Sequence, residues 1–300
     1  MPLILIDKPP GMTSHDVVAM IRKKTGTRQV GHTGTLDPMA TGVMCVLTRR
    51  AVKAARYVSA ENKSYTATLR LGYSTDTGDV TGNVTGRSGY VPEFDAILSV
   101  LPLFTGEIMQ TPPAYSAIKR GGVKLCDAAR RGETIAVEPR PVKILSLNAL
   151  KAERPDEIIL NVTCSKGTYI RTLCEDIAKA AGSLGTMSSL RRTVQGRFDI
   201  SRCHPLDEVL GAGEQDLDGL FIPVETLFED LRAIVLPDFY DRLCRNGCEI
   251  YLKKLGINRD EYKENELVRL CGPDGKFFAV GRAGLYPDGM AVKAETLLEE

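Results

Sequence analysis

Residues 31–42 read Gly31-His32-Thr33-Gly34-Thr35-Leu36-Asp37-Pro38-Met39-Ala40-Thr41-Gly42, a turn-forming segment that holds a single carboxylate. Its glycines open backbone conformations that are closed to other residues, and Pro38 fixes the direction in which the chain leaves the turn. Asp-Pro beside glycine is also ordinary turn chemistry, so the segment alone does not separate a structural turn from a reactive site. A carboxylate exposed in this way is suited to act as a nucleophile.

The composition is that of an ordinary globular protein. Of the 300 residues, 43% are hydrophobic and 26% are charged, which predicts a substantial core in one large domain and one smaller domain. Apolar runs are only a few residues long, and the first residues lack the basic start and long apolar stretch of a secretory signal. We therefore expect a cytoplasmic protein with no membrane-spanning segment.

Charge is distributed unevenly along the chain. Residues 1–199 carry 27 Lys and Arg against 18 Asp and Glu, whereas residues 200–300 carry 12 against 20. Positive potential over the first two thirds is what a protein needs to displace the counterions of a nucleic acid backbone. A solvated basic face gives the same counts, so charge alone does not identify RNA as the partner.

The cysteines and glycines give no sign of a metal or cofactor site. The eight cysteines include no C-x-x-C pair, and without an export signal they are expected to be reduced. Cys203-His204 and Cys244-x-x-x-Cys248 have no second ligand pair at zinc spacing. Neither G-x-x-x-x-G-K-[ST] nor G-x-G-x-x-G occurs, so we expect no metal and no cofactor.

Local patterns predict several elements. Thr13 and Asp16 have the spacing of a capping box at the start of a helix. Residues 63–71 alternate between apolar and polar side chains, as a half-buried strand does. Residues 157–164 predict another strand, and apolar side chains at helical spacing follow it from Ile170.

Three side chains in these elements have two interpretations. Tyr65 lies on the apolar face of the alternating strand, which favours a core aromatic. Tyr169 and Arg171 lie where a strand pattern changes to a helix pattern, and such junctions often carry functional side chains. A packing tyrosine and a surface arginine are the structural alternatives there.

The rest of the chain contains an insertion and a second module. Residues 110–142 are rich in Pro, Gly and basic side chains, which we interpret as a mobile arm with Gly121-Gly122 as its hinge. An acidic stretch then marks the end of a first domain, residues 1–230. Beyond it, Gly272-Pro273-Asp274-Gly275 separates two strand patterns and predicts a hairpin in a small β-rich domain, residues 231–300.

Seven segments in order resemble the TruB family of tRNA pseudouridine synthases over most of residues 3–198. They are Asp7-Lys8-Pro9-Pro10-Gly11-Met12-Thr13-Ser14, residues 31–42, Lys63-Ser64-Tyr65, Thr75-Asp76-Thr77, Pro113-Ala114-Tyr115-Ser116-Ala117-Ile118-Lys119, Ser165-Lys166-Gly167-Thr168-Tyr169-Ile170-Arg171 and Leu190-Arg191-Arg192. The chain departs from the family pattern at residues 48–53 and at Cys126, where a tyrosine is usual. Neither departure falls where chemistry is expected.

The resemblance implies an α+β fold: a central mixed, largely antiparallel sheet flanked by helices, a thumb insertion at about residues 110–142, and a small C-terminal β-rich, PUA-like RNA-binding domain. The thumb of this family closes over RNA, so its cations here would pair with phosphates while Tyr115 packs or stacks. The T-stem-loop of tRNA is the implied partner. No guide RNA and no obligatory protein partner are implied, and we expect a monomer.

The implied reaction converts uridine to pseudouridine at position 55 in the T loop of tRNA. The bond from ribose C1′ to uracil N1 breaks, the base turns, and C1′ joins C5 without net redox change, so no step calls for a cofactor. Asp37 is the catalytic carboxylate; attack at C6, attack at C1′ and stabilisation of an eliminated sugar all stay open. Arg171 is expected to hold Asp37 ionised and oriented.

The resemblance assigns the remaining site residues to the flipped nucleotide, whose extrusion from the stack costs a few kcal/mol. Tyr65 would stack on the base and remove a ribose proton, Tyr169 would line the opposite side, and Leu190 would form an apolar wall. His32 is associated with stacking in the flipped RNA loop, although a hydrogen-bonding role in the turn is the plainer alternative. Lys8 would either meet a phosphate or brace the motif.

Two other functions match parts of the sequence. A non-catalytic RNA-binding or tRNA-folding protein would explain the charge asymmetry and the arm but gives Asp37 no purpose, so we keep tRNA folding as an additional activity. An aspartyl phosphotransferase would use Asp37-x-x-x-Thr41 as half of the motif D-x-D-x-T. Met39 removes the second carboxylate of that motif, and no Mg²⁺ site is evident.

Overall fold

The computed structural model describes residues 2–58, 61–133 and 135–299. The strands in this part of the chain are β1 (Leu3–Lys8), β2 (Val30–His32), β3 (Thr41–Thr48), β4 (Lys63–Leu71), β5 (Tyr73–Thr75), β6 (Val84–Arg87), β7 (Gly106–Gln110), β8 (Lys119–Arg120), β9 (Val123–Lys124), β10 (Arg140–Lys151), β11 (Glu157–Cys164), β12 (Gly185–Gln195), β13 (Phe198–Asp199), β14 (His204–Pro205), β15 (Ala233–Val235), β16 (Ile250–Tyr251), β17 (Leu267–Cys271), β18 (Phe277–Tyr286) and β19 (Gly289–Leu297). The α-helices are α1 (Ser14–Thr25), α2 (Ala55–Val58), α3 (Phe94–Val100), α4 (Leu125–Arg130), α5 (Ile170–Ala180), α6 (Leu206–Gly211), α7 (Glu214–Gly219) and α8 (Asp238–Arg245).

The described residues form two large sheets and two small ones, in which β5 pairs with β6 and β8 pairs with β9. The largest one has ten strands, in the order β14-β1-β3-β12-β4-β11-β10-β7, with β2 beside β3 and β13 beside β12. Its pairs β1–β14 and β3–β12 are parallel and its other pairs are antiparallel. The second sheet has the order β15-β17-β18-β19-β16. The α+β prediction, with a mixed, largely antiparallel sheet and a small β-rich C-terminal part, is therefore confirmed.

Local sequence signals correctly predicted the elements beside the aspartate loop. The Thr13 hydroxyl accepts from the backbone N–H of Asp16, and the Asp16 carboxylate accepts from the N–H of Thr13 at 2.8 Å, so the capping box opens α1. Along β4 the side chains alternate between buried and half-buried, as the period of two predicted. The predicted hairpin at residues 272–275 joins β17 to β18.

Gly42 brings the aspartate loop against the centre of the sheet. Gly42 pairs with Arg192 in the parallel β3–β12 ladder and has a φ of 103°, a conformation that favours glycine. A Cβ atom at this position would lie 2.1 Å from the backbone oxygen of Arg192. Gly42, the third glycine of the 31–42 segment, is therefore required for the close approach of the two strands.

The insertion between β7 and β10 carries β8, β9 and α4. Gly121 and Gly122 have φ values of 58° and 85° and form the two-residue turn between β8 and β9. Two-residue hairpin turns of this kind need positive φ at both central residues, which explains the glycine pair. The interpretation of these glycines as a hinge is therefore wrong, because they close a hairpin within the insertion.

Separate apolar clusters hold the layers together. Helix α5 packs on β4, β11 and β12 around Leu69, Leu160 and Leu173, and α1 packs on β1 and β3. A further cluster joins the two sheets, since it contains Leu3 of the first and Val280 of the second. In the described ranges, none of the helices combines the length and apolar character needed to cross a bilayer.

Candidate active site

Asp37 and Arg171 form an ion pair at the base of a cleft. Asp37 lies in the loop between β2 and β3, and Arg171 lies in the first turn of α5. The Arg171 Nε is 3.0 Å from Asp37 Oδ2, and its Nη2 donates to Oδ1 at 3.4 Å. The arginine side chain is 6% exposed and the aspartate side chain 31% exposed, so the carboxylate is the partner that a ligand can reach.

Two backbone carbonyls fix the other edge of the Arg171 guanidinium. Its Nη1 donates to the oxygen of Thr77 at 2.7 Å, and its Nη2 donates to the oxygen of Tyr115 at 2.8 Å. Thr77 belongs to the loop between β5 and β6, whereas Tyr115 belongs to the insertion. The orientation of the arginine therefore depends on segments that are far apart in sequence.

The pKa of Asp37 is raised above its ordinary value of 3.8. Burial disfavours the ionised carboxylate most, the Arg171 charge opposes that effect, and the nearby Asp79 charge adds to it. Arg171 favours the ionised form of Asp37, as expected, but its charge offsets the effect of burial only in part. Asp37 takes up a proton at a higher pH than an exposed aspartate does.

The carboxylate opens into a cavity of about 320 Å³ that several elements line. Asp37, Tyr65, Tyr169, Arg171 and Leu190 all border it, so five of the six predicted site residues meet at one place. The remaining lining residues are Thr33, Gly34, Thr35, Leu36, Lys63, Tyr115, Ser116, Ala117, Ser165, Lys166, Gly167, Thr168, Ile170 and Arg192. Asp37 is the single acidic side chain in this lining, among four cationic ones.

The two tyrosines border the cavity from different elements. Tyr65 on β4 belongs to the core cluster beneath α5 and also borders the cavity. Its ring therefore packs in the core while part of the side chain faces the cavity. Tyr169 is the N-cap residue of α5. Burial raises the pKa of both phenols, which are therefore neutral hydrogen-bonding groups near pH 7.

His32 lies beside the cavity and does not border it. Its Nδ1 accepts from the backbone N–H of Gly34 at 3.3 Å, and its ring contacts His15 edge-on at 5.5 Å between centroids. Burial, with the charges of His15 and Arg192, lowers its pKa to about 4, so the ring is neutral at pH 7. The plainer hydrogen-bonding role is present, and the role in stacking on RNA stays a prediction.

Arg192 is a buried cation that the site prediction did not include. It is 1% exposed, and its guanidinium donates to the oxygen of Val43 at 2.7 Å and to the oxygen of Gly34 at 3.1 Å. These bonds tie β12 to both ends of the aspartate loop. Arg192 belongs to the Leu190-Arg191-Arg192 family segment, which could have marked it as a site residue. No local pattern in the sequence indicates that its side chain is buried.

Lys8 braces the same loop from behind. The side chain is fully buried, and its ammonium donates to the oxygens of Pro9 at 2.9 Å, Pro38 at 3.2 Å and Ala40 at 2.9 Å. Burial lowers its pKa to about 8, so it is still mostly charged at pH 7. Of the two roles considered for Lys8, the structure supports bracing rather than phosphate contact.

Replacing Lys8 with methionine is expected to destabilise the fold by about 2–4 kcal/mol, because buried carbonyls lose their donor. Urea denaturation of the variant and the parent protein measures this change. Lys24→Met is the matched control, since Lys24 is only half-buried and also caps carbonyls, those of Leu210 and Ala212, at 2.8 and 2.5 Å. Water can replace that ammonium, so the control should lose about 1 kcal/mol or less. Equal losses would contradict the bracing role.

The phosphotransferase alternative has no support in this site. Met39, at the position of the second carboxylate, is half-buried and packs against the core cluster beneath α5. Among the described residues, no group of three or more His, Cys, Asp or Glu side chains is arranged to hold a metal ion.

Family models match most of the first two thirds of the chain. The model for the TruB family pseudouridylate synthase (N terminal domain) matches residues 22–170, and the model for the tRNA pseudouridylate synthase B C-terminal domain matches residues 171–229. Two relatives are both named tRNA pseudouridine synthase B. The one from Caldanaerobacter subterraneus subsp. tengcongensis is 41% identical over 279 residues, which cover 92% of this chain and 93% of the relative. The one from Clostridium perfringens is 36% identical over 300 residues, or 99% of each chain.

Solved structures share the fold. A chain of an H/ACA RNP bound to a substrate RNA containing 2′-deoxyuridine aligns with a TM-score of 0.73 and 26% identity, over 100% of this chain and 85% of the other. A chain of a Cbf5-Nop10-Gar1 complex aligns with a TM-score of 0.74 and 26% identity, over 99% and 84%. The chain belongs to the TruB family of pseudouridylate synthases, and it is an isomerase that converts uridine to pseudouridine in tRNA.

Proposed function

We propose that this enzyme modifies uridine 55 in the T loop of tRNA and that Asp37 is the reacting carboxylate. The observation that carries the proposal is the cavity in which Asp37 is the single acidic side chain, beside two tyrosines and the buried Arg171. A flipped uridine needs apolar and aromatic walls for its base and one negative charge near C1′ and C6. The cavity supplies both the walls and the negative charge.

Five of the lining residues have separate roles in the proposed reaction. Ionised Asp37 faces the sugar–base junction, and Arg171 fixes its orientation through paired hydrogen bonds. Tyr65 stacks on the base, Tyr169 closes the opposite side and Leu190 supplies apolar wall. A base held between these walls displaces water from Asp37, which strengthens the effect of the Asp37 charge on the transition state.

The surroundings of the cavity favour RNA. The exposed Lys166 lines it, and the exposed Arg140 and Lys143 lie at the base of the insertion. We infer that these cations contact phosphates of the T-stem-loop, that the insertion acts as a thumb over the bound loop, and that His32 stacks there. We also infer that residues 231–300 form a PUA-like RNA-binding domain; support comes from the separate core of the second sheet.

We further propose that the enzyme works in the cytoplasm as a monomer, without guide RNA or an obligatory protein partner. Support comes from the composition of the cavity, because Asp37, Arg171 and both tyrosines belong to this one chain. The Cbf5 chains with a similar fold come from complexes with other components, which is a property of those proteins.

The site of modification is tested with a tRNA transcript labelled with tritium at C5 of uridine and the purified protein alone. Pseudouridine formation releases the C5 label, so we expect about one tritium per tRNA, and none from a transcript with cytidine at position 55. Equal release from the two transcripts would overturn the position assignment. Failure of the protein alone, with recovery on adding a cell extract, would overturn the proposal that it needs no partner.

A second activity, tRNA folding, is proposed on the exposed cations of the insertion. Arg120, Arg130 and Arg131 lie at its surface, where they can bind phosphates of partly folded RNA. The expected result is that enzyme lacking the Asp37 carboxylate (Asp37→Asn) still speeds the refolding of a heat-denatured transcript, followed by native gel. No acceleration by either the variant or the parent protein would contradict this activity.

A further inference from the structure

Gln110 connects the sheet to the active-site helix. It is the last residue of β7 and is 2% exposed. Its side-chain oxygen accepts from the backbone N–H of Tyr169 at 2.7 Å, and its side-chain nitrogen donates to the backbone oxygen of Tyr169 at 3.0 Å. One primary amide thus satisfies both backbone groups of a single residue, as a neighbouring strand would.

Tyr169, whose backbone Gln110 holds, lies at the start of helix α5. Tyr169 is the N-cap residue of α5 and has no side-chain cap of its own. Its carbonyl also accepts from the N–H of Leu173 at 3.1 Å, so the amide and the first helical turn share one acceptor. Rotation of the Tyr169 backbone would displace the Tyr169 ring and, two residues later, the Arg171 guanidinium.

Gln110 is also the point at which the insertion leaves the sheet. It pairs with Arg140, where the chain returns to the sheet. Five residues after Gln110, the carbonyl of Tyr115 accepts from Arg171 Nη2 at 2.8 Å. The insertion therefore contacts Tyr169 through Gln110 at its base, and contacts Arg171 through the carbonyl of Tyr115.

We propose that Gln110 is a positioning residue for pseudouridine formation, which acts by fixing Tyr169 and Arg171 relative to Asp37. The inference rests on the proposed function, since it takes Asp37 as the reacting carboxylate. Gln110 does not line the cavity that holds Asp37, so its loss should affect the chemical step more than tRNA binding. A displacement of about 1 Å in a reacting group costs on the order of 100-fold in rate.

The test compares Gln110→Met with Ile108→Ala in single-turnover tritium release, with enzyme in excess over labelled tRNA. Methionine keeps the length of the side chain and removes both hydrogen bonds. Ile108 is half-buried on the same strand and packs against the core, so its truncation weakens β7 without a direct change at Tyr169. We expect the Gln110→Met rate constant to fall about 10–100-fold with tRNA affinity within about 3-fold. The control should fall less than about 3-fold at a comparable loss of Tm.

A second variant separates positioning from stability. Gln110→Glu offers two acceptors when ionised, but when protonated it again offers one donor and one acceptor. The charged or titratable side chains that share its cavity, among the described residues, are Arg140 of β10, and Lys166 and Tyr169 before α5. Both cations favour the ionised form, but they are exposed and screened by solvent. Burial at position 110, where Gln110 is 2% exposed, outweighs them and raises the pKa of the introduced carboxyl group. The rate relative to the parent enzyme should therefore rise as the pH falls from about 8 to about 5.5, whereas the ratio for Gln110→Met should stay constant.

Two results would overturn the proposal. One is a Gln110→Met rate constant within about 2-fold of the parent value; the other is a loss in that variant matched by Ile108→Ala at equal Tm. Failure of the proposed function is recognised separately, because Asp37→Asn would then keep the parent rate, or the parent enzyme would release label from a transcript with cytidine at position 55.

Discussion

Replacing Arg171 with methionine is expected to lower the single-turnover rate of pseudouridine formation by about 10²–10³-fold, the usual cost of removing one positioned donor from an active site. The ion pair of 3.0 Å with Asp37 disappears, and the carbonyls of Thr77 and Tyr115 lose their donor. The carboxylate then stays buried without its opposing charge. Affinity for tRNA should change much less, because Arg171 is 5% exposed and its guanidinium already bonds to Asp37 and to two backbone carbonyls.

The same substitution should move the acid side of the pH profile. Burial already raises the pKa of Asp37 above 3.8, and Arg171 opposes that rise. A rate that needs the ionised carboxylate therefore falls as the pH drops through this raised pKa. Without Arg171 the pKa is higher still, so the decline should begin at a higher pH, and raising the pH should recover part of the lost rate.

Single-turnover rates of the parent enzyme, Arg171→Met and Arg171→Lys between pH 5 and 9 measure this shift. Lysine keeps a positive charge but lacks the fork that reaches two carbonyls and a carboxylate together. Its acid limb should stay near that of the parent while its maximal rate falls. An acid limb in Arg171→Met that coincides with that of the parent would show that the guanidinium does not act on Asp37.

Local sequence patterns predicted elements whose cause is local. The Thr13 capping box and the alternation of β4 depend on neighbours within a few residues, and both are present. The meeting of Asp37 with Arg171 spans 134 positions, and no periodicity encodes it. It was predicted because the family segments, rather than any spacing, placed both residues in one site.

The features that sequence reasoning missed depend on tertiary burial. Arg192 looks like a surface cation in sequence, yet the close β3–β12 approach at Gly42 encloses it. The raised pKa of Asp37 depends on how completely the cleft excludes water, which charge counting does not reveal. Gln110 carries no motif of its own, and its role appears only when β7 and the start of α5 are seen side by side.

The most direct test of the account is tritium release by Asp37→Asn. Asparagine keeps the shape of the side chain and removes its charge, so the predicted single-turnover rate is at least about 10⁴-fold below that of the parent enzyme. Binding of tRNA should stay within about 3-fold, because the cations that contact phosphates are unchanged.

Asp156→Asn is the matched control for this measurement. Its side chain is 28% exposed, close to the 31% of Asp37, and it also pairs with arginines, Arg70 and Arg154, each at 3.1 Å. It does not line the cavity, so its rate should match that of the parent enzyme. We expect release by the Asp156 variant and none above background by Asp37→Asn; release by Asp37→Asn within about 10-fold of the parent rate would show that this carboxylate is not the reacting group.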